Sequence, residues 1–117
     1  MIIEMVTRTD KDYWIIVKQF KGGWRAAYVG IPFTDRLYGK DEEWPAIRQF
    51  NTILGRVNYA ADRVGGWEGH PRNDRRWWFG LDNLEQDAPT CPMTQAYVAA
   101  LQLARQLAEY EVEHGVW

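Results

Sequence analysis

The chain is 117 residues long with a formal net charge of −2 and a single cysteine. That length suits one domain over residues 1–117, large enough to bury a core without disulfide or metal staples. With no serine, two histidines and one cysteine, the composition excludes serine nucleophiles and an internal disulfide. No run of about 18 apolar residues is present, which predicts no membrane-spanning helix.

Ile2 to Val6 is short and apolar and predicts an edge strand, followed by a turn at Thr9-Asp10-Lys11-Asp12. Tyr13 to Phe20, rich in aromatic and β-branched residues, predicts a strand. Lys21-Gly22-Gly23 supplies a tight reversal, and Trp24 to Ile31 returns as a strand that Pro32 ends. One face of this return carries Trp24, Ala26, Tyr28 and Gly30, small enough overall to accept the C-terminal helix. Pro32 to Lys40 is irregular. Asp41-Glu42-Glu43 opens a short helix reaching Asn51, with Asp41 as N-cap, Pro45 in the first turn, and Trp44, Ile47 and Phe50 as its apolar stripe. Arg56 to Ala61 predicts a further strand, and Gly65 to Pro71 a glycine-rich loop.

Arg75 to Asp82 is the densest stretch, with two arginines, two tryptophans, a phenylalanine, a glycine and a carboxylate in eight positions. As a strand it sends Trp77, Phe79 and Leu81 to one face, a core face. Arg76, Trp78, Gly80 and Asp82 share the other, which offers a cation, a ring, a gap and an acceptor. After an acidic connection, Pro92 starts a helix of about 22 residues and roughly 33 Å, capped by Thr90 or Cys91 and ended by Gly115. Its expected apolar stripe is Met93, Tyr97, Leu101, Ala104 and Ala108, flanked by Ala100 and Leu107. The fold class is therefore α+β: an antiparallel sheet packed by one long C-terminal helix, with a short inserted helix.

Catalytic chemistry is sparse. No pair of histidines or cysteines has metal-ligand spacing, and no glycine loop cradles phosphate, so neither metal nor cofactor is expected. Cys91 as a thiol nucleophile, His70 as a base, and Asp82 with Glu85 as an acid–base pair each compete with a plain structural role. The stronger candidate is the cluster of Arg72, Arg75 and Arg76 with Trp67, Trp77 and Trp78, because guanidinium groups fork onto phosphates and indoles stack on bases. Arginine outnumbers lysine by 10 to 4, and seven tryptophans are present. Both types are enriched at binding hot spots. Acids interleaved with the cluster argue against duplex nucleic acid as a partner, but leave open a small anionic ligand or a protein. The competing reading is arginine–tryptophan stacking that only covers the sheet.

Ala27-Tyr28-Val29-Gly30-Ile31-Pro32, Leu37-Tyr38-Gly39-Lys40-Asp41 and Trp77-Trp78-Phe79-Gly80-Leu81-Asp82 occur in that order. In this they resemble a widespread family of small phage and prophage proteins with a YVG[VI]P … LYGKD … WWFG[FL]D pattern and a C-terminal helix. The resemblance spans roughly residues 24 to 110. It departs at Asn58-Tyr59-Ala60, where the family often has His-Gly-Gly, and at Leu84-Glu85, where a family histidine is absent. It implies a counter-defence protein in the cytoplasm of a bacterial host. Such a protein would act by stoichiometric binding, sequestering an anionic signalling nucleotide as a homo-oligomer or blocking a host defence protein in the manner of an anti-CRISPR. A thiol or histidine enzyme is the third alternative. The residues expected to bind ligand are Trp67, His70, Arg72, Arg75, Arg76, Trp78 and Asp82, joined by Tyr38 and Lys40 of the second motif.

Overall fold

The computed structural model describes residues 2–20, 25–65, 67, 75–82 and 92–114. Strands β1 (Ile2–Arg8), β2 (Trp14–Gln19), β3 (Arg25–Pro32), β6 (Tyr59–Ala61) and β7 (Arg76–Asp82) form one antiparallel sheet in the order β1-β2-β3-β7-β6. A two-stranded sheet, β4 (Asn51–Thr52) with β5 (Gly55–Arg56), sits beside the long helix α2 (Met93–His114). A single helical turn, α1 (Pro45–Arg48), precedes it. The α+β architecture expected from the sequence is the one observed.

Strand parity divides the molecule into two apolar layers. On one side Ile15, Val17, Ala27, Val29, Ile31, Phe79 and Leu81 meet α2 through Ala96, Ala99, Ala100, Leu103 and Leu107. Alanines along the buried stripe bring the helix close to the sheet. The stripe is rotated from the expected one: Leu101 is exposed, and Met93, Tyr97 and Ala108 lie at its margins. Spacing of four alone drifts around a helix of 3.6 residues per turn, whereas positions 96, 99, 100, 103 and 107 stay on one side.

Other elements also differ from expectation for identifiable reasons. The helix opened by Asp41 shrinks to α1. Asp41 Oδ1 accepts the Glu43 N–H at 2.9 Å within a turn, and Trp44, not Asp41, is the N-cap. Pro45 sits in the first turn as required. The single strand expected from Arg56 to Ala61 breaks in two. Val57 turns into the main core, while the Asn58 N–H bonds Gly80 O at 3.0 Å and Asn58 Oδ1 accepts the Asp82 N–H at 2.9 Å. Gln102 and Gln106 of α2 hold the β4–β5 hairpin, accepting the Ile53 and Asn51 N–H groups at 2.8 and 3.1 Å. The reversal at Lys21–Gly23, the Thr90 or Cys91 cap and the Gly115 terminator lie outside the described residues.

The helix does not cover the small residues of β3. Ala26, Tyr28 and Gly30 lie on the opposite face, and the group that uses the space is Trp78. In the register Gly30↔Trp78 and Tyr28↔Gly80, each glycine faces a ring. A Cβ on Gly30 would stand 2.7 Å from Trp78 Cζ3. One on Gly80 would stand 2.7 Å from Tyr28 Cδ1 and 2.9 Å from Tyr59 Cβ. Both distances are inside van der Waals contact and both rings are enclosed, so neither can retreat freely. Gly30→Ala and Gly80→Ala are each expected to lower unfolding free energy by about 1–3 kcal/mol in urea denaturation. No loss in either variant would contradict the interlock.

Candidate functional site

The sheet face opposite α2 is laid out in cross-strand rows. Arg8, Trp14, Gly30, Trp78 and Ala61 form one, Val6, Ile16, Tyr28, Gly80 and Tyr59 the next, and Ile3, Lys18, Ala26 and Asp82 the third. Trp67, paired across the Val64–Trp67 bridge, comes down onto the first row. Its ring centroid is 5.5 Å from that of Trp78 at 77° and 5.7 Å from that of Trp14 at 48°. Arg8 Cζ stands 5.2 Å over Trp14. The result is a continuous aromatic layer with cations at both ends.

At one end, Arg76 is only 4 % exposed and is committed to structure. Its Nη1 donates to Asp12 O at 2.6 Å and its Nη2 to Asp12 Oδ1 at 3.1 Å. Arg8 pairs with the same carboxylate. Burial pushes the Asp12 carboxyl up, but hydrogen bonds and charge from Arg8 and Arg76 outweigh it and hold it below the usual carboxylate range. Asp12, at φ 65°, thus ties the β1–β2 turn to the start of β7.

At the other end Lys18 is 5 % exposed, and its ammonium lies among rings. Lys18 Nζ donates to Gly65 O at 3.1 Å and sits 4.9 Å from the Tyr28 ring centroid and 5.2 Å from that of Phe20. No carboxylate comes within ion-pairing distance of it among the described residues. Burial lowers its pKa, and the more distant Asp82 charge opposes that only in part. An ammonium held by one carbonyl and two ring faces has given up hydration without gaining an ion pair among the described residues.

The expected site residues separate into groups. Trp67, Trp78, Arg76 and Asp82 share this face, with Arg75 exposed at the edge of β7. The expected recess at Gly80 is filled by Tyr28 and Tyr59, and Trp78 is fully buried instead of presenting a stacking face. Its indole N–H has no acceptor among the described residues. Tyr38 and Lys40 lie apart, on the helix side: Tyr38 packs on Trp77 at 5.9 Å, and Lys40 O accepts the Trp77 indole N–H at 2.7 Å. His70, Arg72, Glu85 and Cys91 are outside the described residues. Lys18, Trp14 and Arg8 were not singled out by the sequence, although Lys18 shares the strand parity of Trp14 and Ile16, a visible anomaly in an apolar strand. No protein-family model, curated protein or solved structure matches this chain.

A second polar cluster joins the loop after β3 to α2. Asp35 Oδ2 accepts the Tyr13 hydroxyl at 3.0 Å and its Oδ1 the Leu37 N–H at 3.0 Å, while Glu111 Oε2 accepts the Arg36 N–H at 3.2 Å. Burial, opposed by these hydrogen bonds and reinforced by the charge of Glu111, pushes the Asp35 carboxyl up to about 6. With a folded value above the ordinary 3.8, the folded state holds this proton more tightly than the unfolded one. The contribution is full below the unfolded value and lost as pH rises through about 6. Wild type should lose on the order of 2 kcal/mol relative to Asp35→Asn between about pH 4 and pH 8, measured by urea denaturation at each pH. Parallel profiles for the two proteins would contradict it.

Proposed function

We propose that this chain is a phage or prophage accessory protein that acts by stoichiometric binding, its aromatic face capturing an anionic small molecule such as a signalling nucleotide. The observation that carries this reading is Lys18, a buried ammonium without an ion-pair partner among the described residues, beside the Trp14–Trp67–Trp78 layer. A phosphate that replaces Gly65 O at Lys18 regains the Coulomb attraction the burial sacrificed, and a base can stack on the half-buried Trp67 or Trp14. A protonated lysine and stacked rings bind an anion but supply no nucleophile or base for turnover. The counter-defence setting, in the cytoplasm of a bacterial host, follows from the motif resemblance. No described helix is long and apolar enough to cross a membrane.

Homo-oligomerisation belongs to the same reading. Val98, Leu101, Arg105, Ala108 and Val112 recur at spacings of 3, 4, 3 and 4 on the outward side of α2, and Val98, Leu101 and Val112 are exposed. That is the pattern of a coiled-coil seam. An antiparallel second copy would set Leu101 against Val112 and the small Ala108 against the long Arg105. Light scattering after size exclusion should give a dimer mass, and Leu101→Glu with Val112→Glu a monomer.

A second reading, a protein-binding inhibitor of a host defence complex, is favoured by the exposure of Phe33, Trp44 and Ile53 away from the aromatic face. Lys18→Met separates the two. By removing a buried charge it should leave stability unchanged or raise it by about 1 kcal/mol. It should also abolish the calorimetric heat of cyclic dinucleotides and ADP-ribose-type nucleotides. No heat with any such anion in wild type would overturn the ligand reading. Retention of a host protein by both wild type and Lys18→Met would favour the inhibitor.

A further inference from the structure

A cavity of about 540 Å³ lies away from the aromatic face, between α1 and the last turns of α2. Trp44 and Phe50 line it from the α1 side, and Tyr110, His114, Glu109 and Glu113 from α2. The volume falls in the range of small-ligand sites. Its walls are flat: His114 stacks on Tyr110 at 4.0 Å and 15°, with its Nδ1 3.0 Å from Tyr110 O, and Phe50 meets Tyr110 edge-on at 6.3 Å. Trp44 stays 42 % exposed at the mouth.

Glu109 and Glu113 are the carboxylates that line this cavity, beside His114, and no lysine or arginine lines it among the described residues. Both acids sit near the C-terminal end of α2, where the helix dipole is already negative, and four residues apart, where like charges repel on a helix. Each placement weakens the free helix. Arg105 approaches Glu109 at 3.7 Å on the solvent side, whereas Glu113 has no ion-pair partner among the described residues. The chain also shows what the Trp44 ring accepts: Lys40 Nζ stands 4.2 Å from its centroid.

We propose that this cavity is a binding site for a planar organic cation, a guanidinium group in particular. A guanidinium stacks on an indole face while its edge donates paired hydrogen bonds to carboxylates. It also offsets the charge that Glu109, Glu113 and the helix end concentrate there. The same group is carried by a free small cation or by an arginine side chain of a partner protein, and the order of their affinities distinguishes the two sources.

Isothermal titration with agmatine, N-acetyl-arginine methylamide and its neutral citrulline counterpart tests the site. Saturable binding of the two cations is expected, weakened by added salt, with no heat from the citrulline compound to about 10 mM. Glu109→Gln with Glu113→Gln should weaken the cations about tenfold or more while leaving Tm unchanged or raised, because those acids burden the helix. Trp44→Ala should weaken them as well. A free cation as natural ligand would show as agmatine binding at least as tightly as the arginine compound, and a protein arginine as the reverse order. Absence of saturable cation binding, equal heat from the citrulline compound, or full affinity in the glutamine double variant would each overturn the proposal. The aromatic-face reading stands apart from this test, since Lys18 contributes nothing to the cavity.

Discussion

The molecule depends on two rings crossing two glycines. Trp78 lies over Gly30 and Tyr28 over Gly80, on adjacent antiparallel strands, so that β3 and β7 hold each other in a single register. A slip of β7 by one residue against β3 would drive the Trp78 indole towards the helix-side core and turn Phe79 out of it. The interlock also explains how an unusually aromatic pair of strands packs into one buried layer. The glycines remove side chains where the rings need the room.

Because that layer is packed from within, the sheet is covered on both sides, by α2 on one and by its own aromatic side chains with Trp67 on the other. Cations then have few places to go. Arg76 is neutralised by Asp12, but Lys18 is set among rings and, among the described residues, donates to a backbone carbonyl. The two buried cations on one face are thus paired unevenly, the arginine with a carboxylate and the lysine with a carbonyl. The helix-side loops follow a different logic. Trp77 anchors the turn at Lys40, Glu111 of α2 accepts the Arg36 N–H, and the cleft beyond Trp44 collects negative charge.

Much of this was legible beforehand. Alternation in Arg75–Asp82 assigned Phe79 and Leu81 to the core, and Pro92 marked the start of a helix that runs 22 residues. The stripe of α2 was misplaced because its buried face is mostly alanine, whose hydropathy barely distinguishes inside from outside. The rotation was settled by how closely the helix could approach Val29 and Ala27. Asp41 looked like a cap, but the segment was too short to nucleate a helix beyond one turn.

The candidate site divides in the same way. Local chemistry in the sequence determined most of the element types, the α+β class and the concentration of arginine and tryptophan around Arg75–Asp82. Tertiary structure alone decided which of those groups is available. Burial depends on what arrives from elsewhere in the chain: Trp67 over Trp78, Tyr28 over Gly80, Asp12 onto Arg76, Gly65 onto Lys18. Strand periodicity tells which face a side chain takes, while only packing between distant segments determines whether that face meets solvent, a counter-charge or a ring.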